Sequence, residues 1–150
     1  MNTFRDTFVP NPSCTLYEEY EFIGKLMGGC LRSKETLALY LAPFFWKKLS
    51  SENISWKNDF ATVDSAQVKL LDTIEKMNKA EYELNYGNEI TWSCTLSDGT
   101  LHKLKQNGNS KSVSYDERLD YCEQVKKIRM AEFDKQVKEI FILIKDKMLF

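Results

Sequence analysis

The stretch Ile90-Thr91-Trp92-Ser93-Cys94-Thr95-Leu96-Ser97-Asp98-Gly99-Thr100-Leu101-His102-Lys103-Leu104 decides how the chain is read. Ile90, Trp92, Cys94 and Leu96 alternate with Thr91, Ser93 and Thr95, which is the two-residue period of a half-buried strand. Ser97-Asp98-Gly99 supplies the tight turn of a hairpin, and Leu101 to Leu104 reads as the returning strand. On both sides of this segment the apolar period lengthens to that of helices. Helices, then a small β element, then helices is the order of an α+β fold, mostly helical with a small β-hairpin, and not of a parallel α/β sheet.

Downstream, Asn107-Gly108-Asn109 makes a loop from residues that accept positive φ. Ser114 with Glu117 forms an S-x-x-E capping box that opens a helix running to about Met130. A last helix from Glu132 carries Phe133, Val137, Ile140, Phe141, Ile144 and Met148 on one face. It reaches Phe150 with no glycine stop or polar tail, so the architecture is expected to continue beyond it.

Upstream, Tyr20, Ile23, Met27, Cys30 and Leu31 recur at helical spacing through Gly24, Gly28 and Gly29. Glycine inside a helix costs about 1 kcal/mol against alanine, so Gly24 and Gly28 imply close packing on another element. Leu37 to Leu41 is short and apolar, and Pro43 fits the first turn of a second helix holding Phe44, Phe45, Trp46 and Leu49. Trp56 to Val63 reads as a loop. Asp64 is an N-cap with Gln67 three residues on, and Val63 can staple against Val68. The helix that follows, Ser65 to about Lys79, sets Val68, Leu71, Ile74 and Met77 on one side with Leu70 at the edge. Residues 1–16, with Pro10 and Pro12, form an irregular lead-in.

Composition excludes several functions. Lys+Arg at 21 and Asp+Glu at 22 cancel, so no broad basic field exists for nucleic acid or an anionic membrane. There is no secretory h-region and no apolar run of spanning length, and the protein is expected in the cytosol or nucleus. Cys14, Cys30, Cys94 and Cys122 form neither a disulfide framework nor a C-x-x-C metal site and read as reduced thiols. His102 is the single histidine, too little for a Cys/His active site. The glycines match no phosphate-binding loop, and Glu18 with Glu19 or Glu81 with Glu83 read as solvated faces. No cofactor and no metal is expected.

A resemblance carries the reading further. Tyr20-Glu21-Phe22-Ile23-Gly24-Lys25-Leu26-Met27-Gly28-Gly29-Cys30-Leu31 resembles a helix near the start of the N-terminal lobe of HECT-type ubiquitin ligases. The apolar stretch Leu37 to Leu49, with its Pro43-Phe44-Phe45 step, follows in the same order. Asp59-Phe60-Ala61-Thr62-Val63-Asp64 is similar to the family's approach to its next helix, with Val68, Leu70 and Leu71 continuing the pattern. Leu104-Lys105-Gln106-Asn107-Gly108-Asn109 and Val113-Ser114-Tyr115-Asp116-Glu117-Arg118-Leu119-Asp120-Tyr121 resemble the L-x-x-x-G-x and V-T-x-x-N-R-x-x-[YF] segments. Glu117 stands where the family has asparagine, and Gln106-Asn107-Gly108 replaces its usual turn, which points to a divergent subfamily. The resemblance divides the chain into the lead-in, residues 1–16, and a partial N-lobe, residues 17–150, with the catalytic C-lobe absent.

The resemblance implies a part of a HECT-type E3 ubiquitin-protein ligase. Such an enzyme takes ubiquitin from a ubiquitin-conjugating enzyme (E2) onto a C-lobe cysteine and passes it to a substrate lysine. None of the four cysteines has the family's nucleophile context, so the 150 residues alone are expected to be inactive. The implied partners are an E2, ubiquitin indirectly and an unknown protein substrate. In the family an E2 phenylalanine loop enters an apolar groove of the small N-lobe subdomain, which the resemblance puts on Gln67, Leu70, Leu71, Ile74, Tyr121 and Val125. Helical spacing sets Tyr121, Val125 and Ile128 on one side, with Leu119 and Cys122 turned to a core. Two other readings keep the residues without the transferase: a non-catalytic E2-binding or interaction module, and a helical module with Phe44, Phe45 and Trp46 as an exposed aromatic anchor.

Overall fold

The computed structural model describes residues 6 to 148, with side chains to residue 145. Its six α-helices and one two-stranded antiparallel sheet make the α+β, mostly helical fold that the sequence pattern predicts. The chain divides into two compact units, the first formed by residues up to 63 and from 133 onward, the second by residues 64–132.

In the first unit, α1 (Tyr17–Ser33) has Glu18 and Glu19 in its first turn and Arg32 in its last, charges that suit the helix dipole. It stops at Lys34, whose left-handed backbone (φ 57°, ψ 30°) returns its N–H to the Cys30 carbonyl. Its partner is α6 (Asp134–Met148), which starts two residues later than the sequence reading placed it. The contact requires Gly24: a Cβ there would lie 2.5 Å from the Ile140 carbonyl oxygen. The apolar face of α6 is borne out at Ile140, which joins Met27, Phe45 and Leu49 in one cluster flanked by Val137 and Ile144, while Phe141 is exposed. Met148, read on the same face, lies outside the described side chains.

Helix α2 (Pro43–Leu49) begins with its proline in the first turn and buries both Phe44 and Phe45 completely, which removes them as a surface anchor. Phe44 meets Phe60 and Phe133 edge-on at 5.4 and 6.3 Å. The segment read as a loop contains a 3₁₀ turn, Phe60–Thr62, and Trp56 stacks flat on Phe60 at 4.6 Å. The described part of the lead-in, from residue 6 onward, is tied down. Phe8 donates its N–H to Tyr40 and accepts from Ala42, and the buried Gln136 amide donates to the Pro12 and Cys14 carbonyls.

In the second unit, Asp64 caps α3 (Ser65–Lys76) by accepting the Gln67 N–H at 2.9 Å. The helix ends three residues earlier than its hydrophobic period suggests, because Met77 turns extended (ψ 141°). Asn78 then caps a separate helix, α4 (Lys79–Asn85), in a reciprocal box with Glu81, each accepting the other's N–H at 3.0 Å. Strands β1 (Ser93–Thr95) and β2 (Leu101–Lys103) pair antiparallel with Cys94 opposite His102. The ladder is shorter than the alternating stretch, since Thr91 bridges Ser112 instead. Gly108 packs so tightly under Trp92 that a Cβ would stand 2.0 Å from its carbonyl oxygen. Ser114 and Glu117 form the expected capping box around a 3₁₀ turn that runs into α5 (Arg118–Ala131).

Candidate functional site

The site residues marked from sequence all fall in the second unit, on α3 and α5, which pack together. The structure divides them by depth. Leu71, Ile74 and Val125 are at most 1% exposed and Tyr121 is 8% exposed, so these four form the interior of the unit. Tyr121 stands edge-on to Trp92 at 5.9 Å and donates its hydroxyl to the Ser93 carbonyl at 3.3 Å, and burial pushes its pKa up to about 12. Gln67 is half-buried and Leu70 is 39% exposed. The α5 face differs from the reading by period alone: Cys122 joins Tyr121 and Val125 inside, whereas Leu119, expected in a core, is half exposed. A helix with buried residues at 121, 122, 125 and 129 presents one inner face, with no second core on its far side.

The outward stripe of α3 was partly missed from sequence. Gln67, Leu70, Thr73 and Met77 recur at about helical spacing, and Thr73 is exposed while Met77 is half-buried. The last two border a groove of about 470 Å³ between α3 and α4, with Asp72, Lys76, Glu81 and Asn85 as its other walls. The hydrophobic period groups Met77 with the inner residues only if α3 continues to Lys79, and it ends at Lys76. The Asn78-x-x-Glu81 box was the available signal that the helix stops and that α4 frames a groove there.

The electrostatics of the unit are structural. Arg129, 3% exposed, donates to the Thr95 carbonyl at 2.7 Å and to the Asp64 carboxylate at 3.1 Å, and lies 3.4 Å from the buried carboxylate of Glu132. Ser97 donates to Glu132 from both N–H and hydroxyl, yet burial still holds that carboxyl above its ordinary range. Lys126 pairs with Glu75 across the α3 and α5 contact. The cross-strand pair Cys94 and His102 has the composition of a thiol–imidazole dyad, but burial pushes the Cys94 thiol up to about 11. Cys122 is likewise pushed up to about 12 by burial. A nucleophilic cysteine needs the opposite shift. Among the described residues no cluster of three or more His, Cys, Asp or Glu side chains has metal-binding geometry, and no helix is long and apolar enough to cross a membrane.

Comparison with known proteins gives these features a family. The family model of the HECT domain, a ubiquitin-transferase, matches residues 1–142. A Plasmodium falciparum (isolate 3D7) protein that carries an E3 ubiquitin-protein ligase name is 26% identical over 127 residues, which cover 81% of this chain. The match covers 1% of that relative's length.

Proposed function

Because the chain belongs to the HECT-domain (ubiquitin-transferase) family, we propose that its second unit docks a ubiquitin-conjugating enzyme for a HECT-type E3 ligase. In this reading the docking face is the outward stripe Gln67, Leu70 and Thr73 of α3 with Met77 beside the α4 groove. Leu71, Ile74, Tyr121 and Val125 act from below, as the packing that holds the stripe in shape. The observation that carries this is Leu70: a leucine left 39% exposed on a helix whose inner leucine and isoleucine are already fully buried. An apolar anchor beside a polar-walled groove suits a small, transient interface of micromolar affinity.

The transfer step belongs to a cysteine outside this segment. Support comes from Cys94 and Cys122, whose raised pKa values leave them as thiols at neutral pH. The segment positions an E2, and proximity to a separately carried nucleophile does the rest. The protein substrate of such a ligase would be held elsewhere.

The test is an NMR titration of isotope-labelled E2 enzymes with residues 1–150, repeated with Leu70→Ala. Shifts confined to the E2's phenylalanine loop, weakened by the substitution, support docking. A folded protein that shifts no member of a broad E2 panel would remove the proposed role.

A further inference from the structure

The outer edge of the hairpin faces a second groove, on the same unit but away from α3. Its volume is about 380 Å³, and it is lined by His102, Lys103, Leu104, Gln124, Lys127 and Ile128. Two features make it more than a depression. The first is an open strand edge. Leu96 donates to Thr100 and Leu104 donates to Trp92 across the hairpin, so Cys94 and His102 are the hydrogen-bonded pair between them. Alternation then turns the N–H and C=O groups of Leu101 and Lys103 away from β1. Among the described residues the sheet has two strands, and none of those residues pairs with β2 on that side.

The second feature is charge. Lys105 is paired with Asp120 and Lys126 with Glu75, but Lys103 and Lys127 have no carboxylate partner among the described residues. Both are exposed, and they line the groove together with the half-buried Leu104 and Ile128. Glu123 and Asp120 line a neighbouring depression on α5, where they share Lys127 and Gln124 with this one. A lysine on an open edge opposes pairing with a second copy of the same strand, because like charges would be brought together. It favours an incoming strand of opposite charge.

We propose that this edge is a second docking surface, which takes an extended acidic segment of a partner protein as a third strand beside β2. The backbone of the segment pairs with Leu101 and Lys103, an aliphatic side chain covers Leu104 and Ile128, and its carboxylates face Lys103 and Lys127. The site is separate from the α3 stripe, so the two proposals stand or fall independently.

The probe is the peptide acetyl-Glu-Val-Asp-Val-Glu-Val-amide, titrated into isotope-labelled residues 1–150. A second peptide has lysine at each acidic position, and a third is the acidic peptide N-methylated at alternate residues. The expected result is saturable amide shifts at Leu101, Lys103 and Ile128 with the acidic peptide alone. Lys127→Glu, a surface change checked by its unchanged spectrum, should weaken binding about tenfold. N-methylation should abolish the shifts at Leu101 and Lys103, since it removes the donors that strand addition uses. Three outcomes would overturn the proposal: no saturation at millimolar peptide, equal binding of the basic peptide, or full binding by the N-methylated one.

Discussion

The guanidinium of Arg129 stands 3.1 Å from the carboxylate of Asp64, sixty-five residues earlier in the chain, and 3.4 Å from that of Glu132. Asp64 and Glu132 are the first and last residues of the second unit, so one side chain joins its two ends. Removing one partner of a buried ion pair leaves an uncompensated charge and costs about 3–5 kcal/mol. Arg129→Met, which keeps the apolar stem, should therefore lower the denaturation midpoint by an amount of that order. The penalty has a pH signature. Burial already holds the Glu132 carboxyl above its ordinary range, and losing Arg129 raises it further. A carboxyl raised in the folded state favours folding below its unfolded pKa and opposes it as pH rises through the folded one. The variant should recover part of its loss as pH falls from about 7 toward the ordinary glutamate range near about 4.3, and a deficit constant over that range would refute the assignment.

Leu70→Ala and Tyr121→Ala should behave oppositely. Leu70 is surface-exposed, so its truncation should leave the denaturation midpoint within about 0.5 kcal/mol of the parent. Tyr121 packs on Trp92 and donates to Ser93, so its truncation should cost about 3–5 kcal/mol. Any effect of Tyr121→Ala on E2 binding would thus report on folding first. A stable Tyr121→Ala protein with intact near-ultraviolet circular dichroism would show that the ring is not part of the core.

These contrasts mark how far the sequence could be read. The class of fold was legible because the period changes from helical to two-residue at Ile90 and back after Gly108. The helix starts at Asp64 and Ser114 were legible because capping residues act locally. Depth was legible on α3, where the period sets Leu71 inside and Leu70 at the edge. It was not on α5, where Leu119 is expected in a core but is half exposed, because burial there follows the elements packed against the helix. Arg129 gave little sign of its role, since Glu132 is near it in sequence but Asp64, Thr95 and Ser97 come from far away along the chain. The stop at Met77 was written in Asn78 and Glu81, but a hydrophobic period that runs on to Met77 outweighed it.

The glycines of α1 should differ by position. Gly24→Ala places a methyl 2.5 Å from the Ile140 backbone oxygen, so α1 and α6 must separate, at a cost of about 1–3 kcal/mol. At Gly29 nothing lies within 4 Å of the new Cβ, and alanine should instead stabilise the helix by about 0.5–1 kcal/mol. Thermal unfolding of the two variants side by side makes the comparison. If both move the midpoint in the same direction, the close contact between α1 and α6 is not what Gly24 provides.

Acid should act on the first unit through Asp59. Its carboxyl is held below the usual carboxylate range, first by the hydrogen bond from Lys47 at 2.7 Å and then by the Ser55 backbone N–H at 2.7 Å. A carboxyl lowered in the folded state contributes stability that is complete above its unfolded pKa, near 4. That stability is lost as pH falls through the folded value. Asp59→Asn removes the charge, so the variant should be less stable than the parent at pH 7, and the two should converge as pH drops below about 4. Urea midpoints from pH 7 to pH 2.5, followed by tryptophan emission because Trp56 stacks on Phe60 within the same turn, read this directly. Parallel curves for the two proteins across the acid range would mean that the Lys47 and Asp59 pair contributes nothing to folding.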